Sequence, residues 1–63
     1  MPLSVEANER WYDALAQAID AAGPEQETLL LTKLALLLAN QSGDEAAVHE
    51  ALATAVQQLV RHA

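Results

Sequence analysis

The segment that most constrains the fold is a leucine-rich run in the middle of the chain. Residues 29–39 contain seven leucines and a single charged residue, Lys33. Leucine is unbranched at Cβ and favours helices, and the run is longer than an ordinary strand. The pattern therefore predicts a helix over about 25–40. On a helical wheel only Gln26, Lys33 and Asn40 form a polar strip, so this helix is apolar nearly all round.

Two further helices are predicted on either side of this segment. The first covers about 5–22, with Ser4 as its N-cap and Gly23-Pro24 as its end, because glycine caps helices and proline cannot continue them. The third covers about 44–61, and Ser42 followed by Glu45 fits a capping box in which Asp44 is a competing N-cap.

These elements predict an all-α fold in which the whole chain, residues 1–63, is one helical domain. Short links between consecutive helices favour antiparallel neighbours, and hence a three-helix antiparallel up-down-up hairpin. A 63-residue chain is short for a stable core and contains no cysteine for a disulfide. Completion by dimerisation into a larger bundle is therefore expected.

The middle helix has more apolar surface than two neighbours in the same chain would cover. Leu30, Leu34 and Leu37 are expected in the intramolecular core. A strip of small residues flanked by two leucines lies elsewhere on the helix and is the candidate dimer interface. Its members are Thr28, Leu29, Thr32, Ala35, Leu36 and Ala39. The alternative is that the outer helices spread apart and cover this strip themselves.

Charge excludes several classes of partner. Nine acidic residues against three basic ones give a net charge of −6, which is unfavourable for contact with nucleic acid or with an anionic membrane surface. No segment approaches the roughly 20 apolar residues of a membrane helix, and the first residues do not resemble a signal peptide. We expect a soluble, cytoplasmic protein.

The titratable residues do not form a recognisable catalytic or metal site. The acidic arc of the first helix is one face, whereas hard cations need oxygens that converge. His49 follows Glu45 by one turn and is expected at the half-buried border of the third helix. Nucleophilic catalysis has no candidate, because cysteine is absent and both serines are explained as caps. We expect no catalytic residue, no metal ligand and no cofactor.

Two adjacent aromatic residues, Trp11 and Tyr12, point about 100° apart on the first helix. One interpretation places Trp11 in the core and Tyr12 at its boundary. The other makes both residues anchors for a protein partner, since these residue types are enriched at binding hot spots.

The stretch from Leu36 to Asp44, followed by Ala51-Leu52, resembles a family of short bacterial helical proteins of unknown function. In that family a leucine-rich helix is followed by an Asn-x-x-Gly-Asp turn, matched here by Asn40, Gly43 and Asp44. Genes of that family lie near genes of flavin-dependent oxidoreductases, so the resemblance implies an accessory role in aromatic or redox metabolism, and it carries over no catalytic residue.

Together these features predict a small non-catalytic helical interaction module. It would act as a homodimer or as an accessory subunit of a larger enzyme, which the resemblance suggests is a redox enzyme. The alternative is a small-molecule or metal-binding bundle with its site at the dimer axis, near His49.

Overall fold

The computed structural model describes residues 2–62, with side-chain surroundings for residues 2–59. Three helices account for most of these residues: α1 (Val5–Ala22), α2 (Glu27–Ser42) and α3 (Glu45–His62). No strand is present in residues 2–62, and the predicted all-α class is confirmed. None of the three helices has the length and apolar character needed to cross a bilayer, among the residues described.

Helix α1 has the predicted bounds. Its first turn is capped by Ser4, whose side-chain oxygen accepts a hydrogen bond from the backbone N–H of Ala7 at 3.1 Å. At its other end Gly23 adopts a φ of 83° and donates its N–H to the Ile19 carbonyl at 3.1 Å. The ψ of Gly23 is 163°, so this residue ends the helix with a positive φ and an extended ψ.

Helix α2 is displaced by two residues from its predicted position at both ends. The segment 24–26 forms a turn in which the Gln26 N–H donates to the Gly23 carbonyl at 3.1 Å, so the helix begins only at Glu27. At the other end Ser42 is the last helical residue, and Gly43, with a φ of 67°, donates its N–H to the Ala39 carbonyl. The positive φ of Gly43 takes the backbone out of the right-handed helical conformation and so ends α2.

The N-cap of α3 is Asp44, whose Oδ1 accepts from the backbone N–H of Ala47 at 3.1 Å. The predicted capping box from Ser42 to Glu45 is wrong. Because α2 extends through Ser42, that residue cannot also be the N-cap of the next helix, and the competing cap Asp44 takes the role.

The chain forms two compact units, residues 1–33 and 34–63. The first contains α1 and the beginning of α2, and the second contains the rest of α2 and α3. The boundary lies within α2. A single domain over residues 1–63 stays a prediction, and so does the antiparallel order of the three helices.

No residue among those with described side chains is buried. Leu30 and Leu34, expected in the core, are half-buried. Leu37 is 59% exposed, and its assignment to the intramolecular core is wrong. The physical reason is that α2 carries leucines around most of its circumference, and its neighbours within this chain cover only part of it.

Candidate interaction surface

The second unit contains an open apolar groove of about 550 Å³ between the end of α2 and the beginning of α3. Eight of its nine lining residues are alanine, leucine or valine, and none is charged. From α2 the lining residues are Ala35, Leu36, Leu38, Ala39 and Ser42, and from α3 they are Ala47, Val48, Ala51 and Leu52. The arrangement can receive an apolar side chain or helix face, because it offers a concave surface without charges to desolvate.

The local sequence explains why the groove forms here. Gly43, with its positive φ, ends α2, and Asp44 caps the helix that follows at once. Alanines at 35, 39, 47 and 51 keep the groove walls low, since a methyl group occupies little of the space between two helices. Ala39 and Val48 are accordingly half-buried, while Leu36 and Leu52 at the rim are 67% and 61% exposed.

The predicted interface residues divide between the two units. Ala35, Leu36 and Ala39 line the groove in the second unit. Thr28, Leu29 and Thr32 lie in the first unit and are all exposed. Ala35 and Ala39 line the groove together with residues of α3 from the same chain. A second chain would therefore reach them only through the open side of the groove.

Sequence reasoning missed the contribution of α3 to this surface. Leu52, Val56 and Leu59 are 61%, 51% and 72% exposed, so α3 too presents apolar side chains that its own chain leaves uncovered. The signal that could have revealed it is the absence of charge, because residues 51–60 contain no acidic or basic side chain. A solvated helix face in an acidic protein ordinarily carries charged groups.

The two aromatic residues of α1 belong to the first unit, whereas the groove belongs to the second. Trp11 is 39% exposed and Tyr12 is 71% exposed. Tyr12 lines a shallow depression with Val5, Asn8, Glu9 and Asp13, so its ring is flanked by carboxylates. The role of Trp11 and Tyr12 as anchors for a protein partner stays a prediction.

His49 lies in the second turn of α3, in the second unit. Its Nε2 is 3.5 Å from Oε2 of Glu45, which confirms that the carboxylate one turn away is within reach of the imidazole. The side chain of His49 is 70% exposed, so its expected half-buried position is wrong. No group of three His, Asp or Glu side chains in the described part of the chain is arranged to hold a metal ion. One His and one Glu supply too few ligands, and a site here would need donors from a second chain.

Comparison with known proteins assigns the chain to a family without assigning it an activity. No curated protein and no solved structure matches it. A family model described as "Protein of unknown function (DUF2783)" matches residues 2–57. The resemblance to a family of unknown function is thereby confirmed, while a bacterial origin and a family-wide turn motif stay predictions. The chain belongs to the DUF2783 family.

Proposed function

We propose that this protein is a non-catalytic helical interaction module that works as a homodimer, either by itself or as an accessory subunit of a larger enzyme. The observation that carries the proposal is the exposure of its apolar side chains. Twelve large hydrophobic residues are exposed, and none of residues 2–59 is buried. Isolated helices in water are marginal without tertiary packing, so helices of 16–18 residues with this much uncovered surface need a partner.

The energetic balance favours a second chain. Six of the exposed large hydrophobic residues lie in the second unit: Leu36, Leu37, Leu38, Leu52, Val56 and Leu59. Full burial of such a side chain contributes ~1.5–3 kcal/mol, so covering the exposed fractions of all six would contribute roughly 5–10 kcal/mol per chain. In a two-fold dimer both copies contribute, which offsets an association cost of about 4–15 kcal/mol.

The proposal assigns no catalytic residue and no cofactor. It includes a cytoplasmic location, which cell fractionation tests. An accessory role would leave Trp11 and Tyr12 available for the larger partner, since both lie in the first unit, away from the groove residues along the sequence. A redox enzyme as that partner is suggested only by the family resemblance. Size-exclusion chromatography of the natively purified protein tests the role, because an accessory subunit elutes with its enzyme at fixed stoichiometry.

The self-association is tested by light scattering and circular dichroism over a dilution series. We expect twice the monomer mass of 6.7 kDa at micromolar concentration, and a loss of helicity as dilution separates the chains. A monomer that keeps full helicity and melts cooperatively would contradict the proposal, because the exposed surface would then need no partner.

A further inference from the structure

One side of α3 carries a coiled-coil seam that has no cover along its second half. Val48, Leu52, Ala55 and Leu59 follow one another at spacings of four, three and four residues, the spacing at which helices pack on one another. Val48 is half-buried beside α2, whereas Ala55 is exposed and Leu59 is 72% exposed. We call these four residues the α3 seam.

We propose that the α3 seam is the self-association surface of this protein, and that it pairs with the α3 seam of a second copy in antiparallel orientation. This inference rests on the proposed homodimer and specifies its contact. The two-fold axis crosses the seam at the level of residues 53 and 54 along the helix, although the side chains of these two residues are not part of the seam. Leu59 of each copy then packs on Val48 of the other, and Leu52 packs on Ala55.

The distribution of charge is the first argument that the partner of the α3 seam is a second copy of this chain. Two copies of a chain with a net charge of −6 repel each other, and the repulsion is smallest where the contact surface is free of carboxylates. Residues 51–60 have no charged side chain, and the groove beside them is lined by uncharged residues. Helix α1, in contrast, carries Glu6, Glu9, Asp13 and Asp20. The seam is therefore where two copies meet at the lowest electrostatic cost.

The position of the acidic residues also favours the antiparallel orientation. Glu45 and Glu50 lie in the first half of α3, and a parallel pair would bring each beside its own copy. In the antiparallel register Glu50 lies opposite the neutral Gln57. Antiparallel helices also set opposite ends of their dipoles side by side, which is favourable.

The groove supplies the third argument. Its α3 wall includes Val48 and Leu52, the first two residues of the seam, while Leu59 lies beyond the residues that line it. An antiparallel copy lays its Leu59 across the Val48 end of the groove and covers Leu36 and Leu52 at the rim. A parallel copy would instead place the two Leu59 side chains against each other and the two Val48 side chains against each other, so that the exposed Leu59 would not meet the half-buried Val48.

Disulfide cross-linking tests the register directly, because the natural chain has no cysteine. The double variant Val48→Cys/Leu59→Cys places two thiols on one helix, separated by roughly 16 Å. They cannot join within a chain, since a disulfide needs Cα atoms within about 7 Å. We expect mild oxidation of the full chain to convert most of this variant into a covalent dimer.

The two single variants are the matched controls. In the antiparallel register each thiol lies roughly 16 Å from its own copy, so neither Val48→Cys nor Leu59→Cys alone should cross-link. Cross-linking of the single variants would indicate a parallel pair and overturn the inference. A double variant that stays uncross-linked, in a protein that has dimer mass, would overturn the inference while leaving the proposed homodimer intact. A monomeric wild-type protein would overturn both.

A second pair of variants remains informative if the cysteine variants fold poorly. Ala55→Glu places a carboxylate on the seam, and Ala53→Glu places the same group on the same helix away from the seam. Both positions are exposed, and glutamate is a good helix former, so neither change should harm the isolated chain. We expect Ala55→Glu alone to weaken the dimer by more than about tenfold, because its charge would be desolvated without a partner. Equal dimer dissociation constants for the two variants would place the contact elsewhere.

Discussion

Helices α1 and α2 differ in the side chains that they expose to water. Each must expose some surface to water, and α1 does so with four carboxylates and an arginine on the side away from its apolar residues. Helix α2 has only Glu27 and Lys33 as charged residues, and four of its leucines are at least 49% exposed. The difference teaches that the side chains of α1 suit a helix with one face in water, whereas those of α2 suit a helix that is covered on most sides.

The largest effect on self-association is expected when one exposed residue of α2 is changed, compared with the same change at an exposed residue of α1. Leu36 on α2 is 67% exposed and Tyr12 on α1 is 71% exposed, so exposure alone predicts similar tolerance. We expect Leu36→Glu to dissociate the dimer and lower its helicity, because a charge in an apolar contact is left unpaired. Tyr12→Glu should leave the protein with the mass of a dimer. Sedimentation of both variants measures the difference, and a stable Leu36→Glu dimer with wild-type melting would remove Leu36 from the interface.

A smaller effect is expected at the helix caps, which are local and do not depend on assembly. Asp44→Ala should lower the free energy of unfolding by ~1 kcal/mol, since the Ala47 N–H loses its acceptor. Ser42→Ala should change it little, because Ser42 is the last residue of α2 and caps nothing. Chemical denaturation at fixed protein concentration measures both values. A loss at Ser42 as large as that at Asp44 would restore the capping box.

The smallest effect is expected at His49. Its side chain is 70% exposed and its only partner in the described residues is Glu45, so His49→Gln should change the free energy of unfolding by less than ~0.5 kcal/mol. Elemental analysis of both proteins checks the metal-binding alternative. Stoichiometric zinc or iron that disappears in the variant would show that a second chain completes a site with His49.

Local signals in the sequence predicted the helices well. Ser4, Gly23 and Asp44 mark helix ends through hydrogen bonds within four residues, so their effect does not depend on distant parts of the chain. The start of α2 was predicted less well. Pro24 is suitable both for the first turn of a helix and for a turn before it, and local preference does not distinguish the two.

The candidate site was predicted only in part. The excess apolar surface of α2 follows from its leucine content, because a helix that is apolar nearly all round needs cover on more sides than an amphipathic helix does. The sequence did not indicate that Ala35 and Ala39 would share a groove with α3, or that Leu37 would be 59% exposed. The burial of a side chain depends on which helix faces pack against each other. A helical wheel shows which residues share a face of one helix, but not which neighbouring helix covers that face.

The sequence by itself therefore determined the three helices, the Ser4 cap of α1 and the excess of apolar surface on α2, since backbone preference and hydrophobic periodicity are properties of short segments. Only the tertiary structure decided where the uncovered surface lies. It combined the end of α2 with the beginning of α3 into one groove and left Leu52, Val56 and Leu59 exposed beside it. Those outcomes depend on the packing of residues that are distant along the chain, and local sequence does not specify such packing.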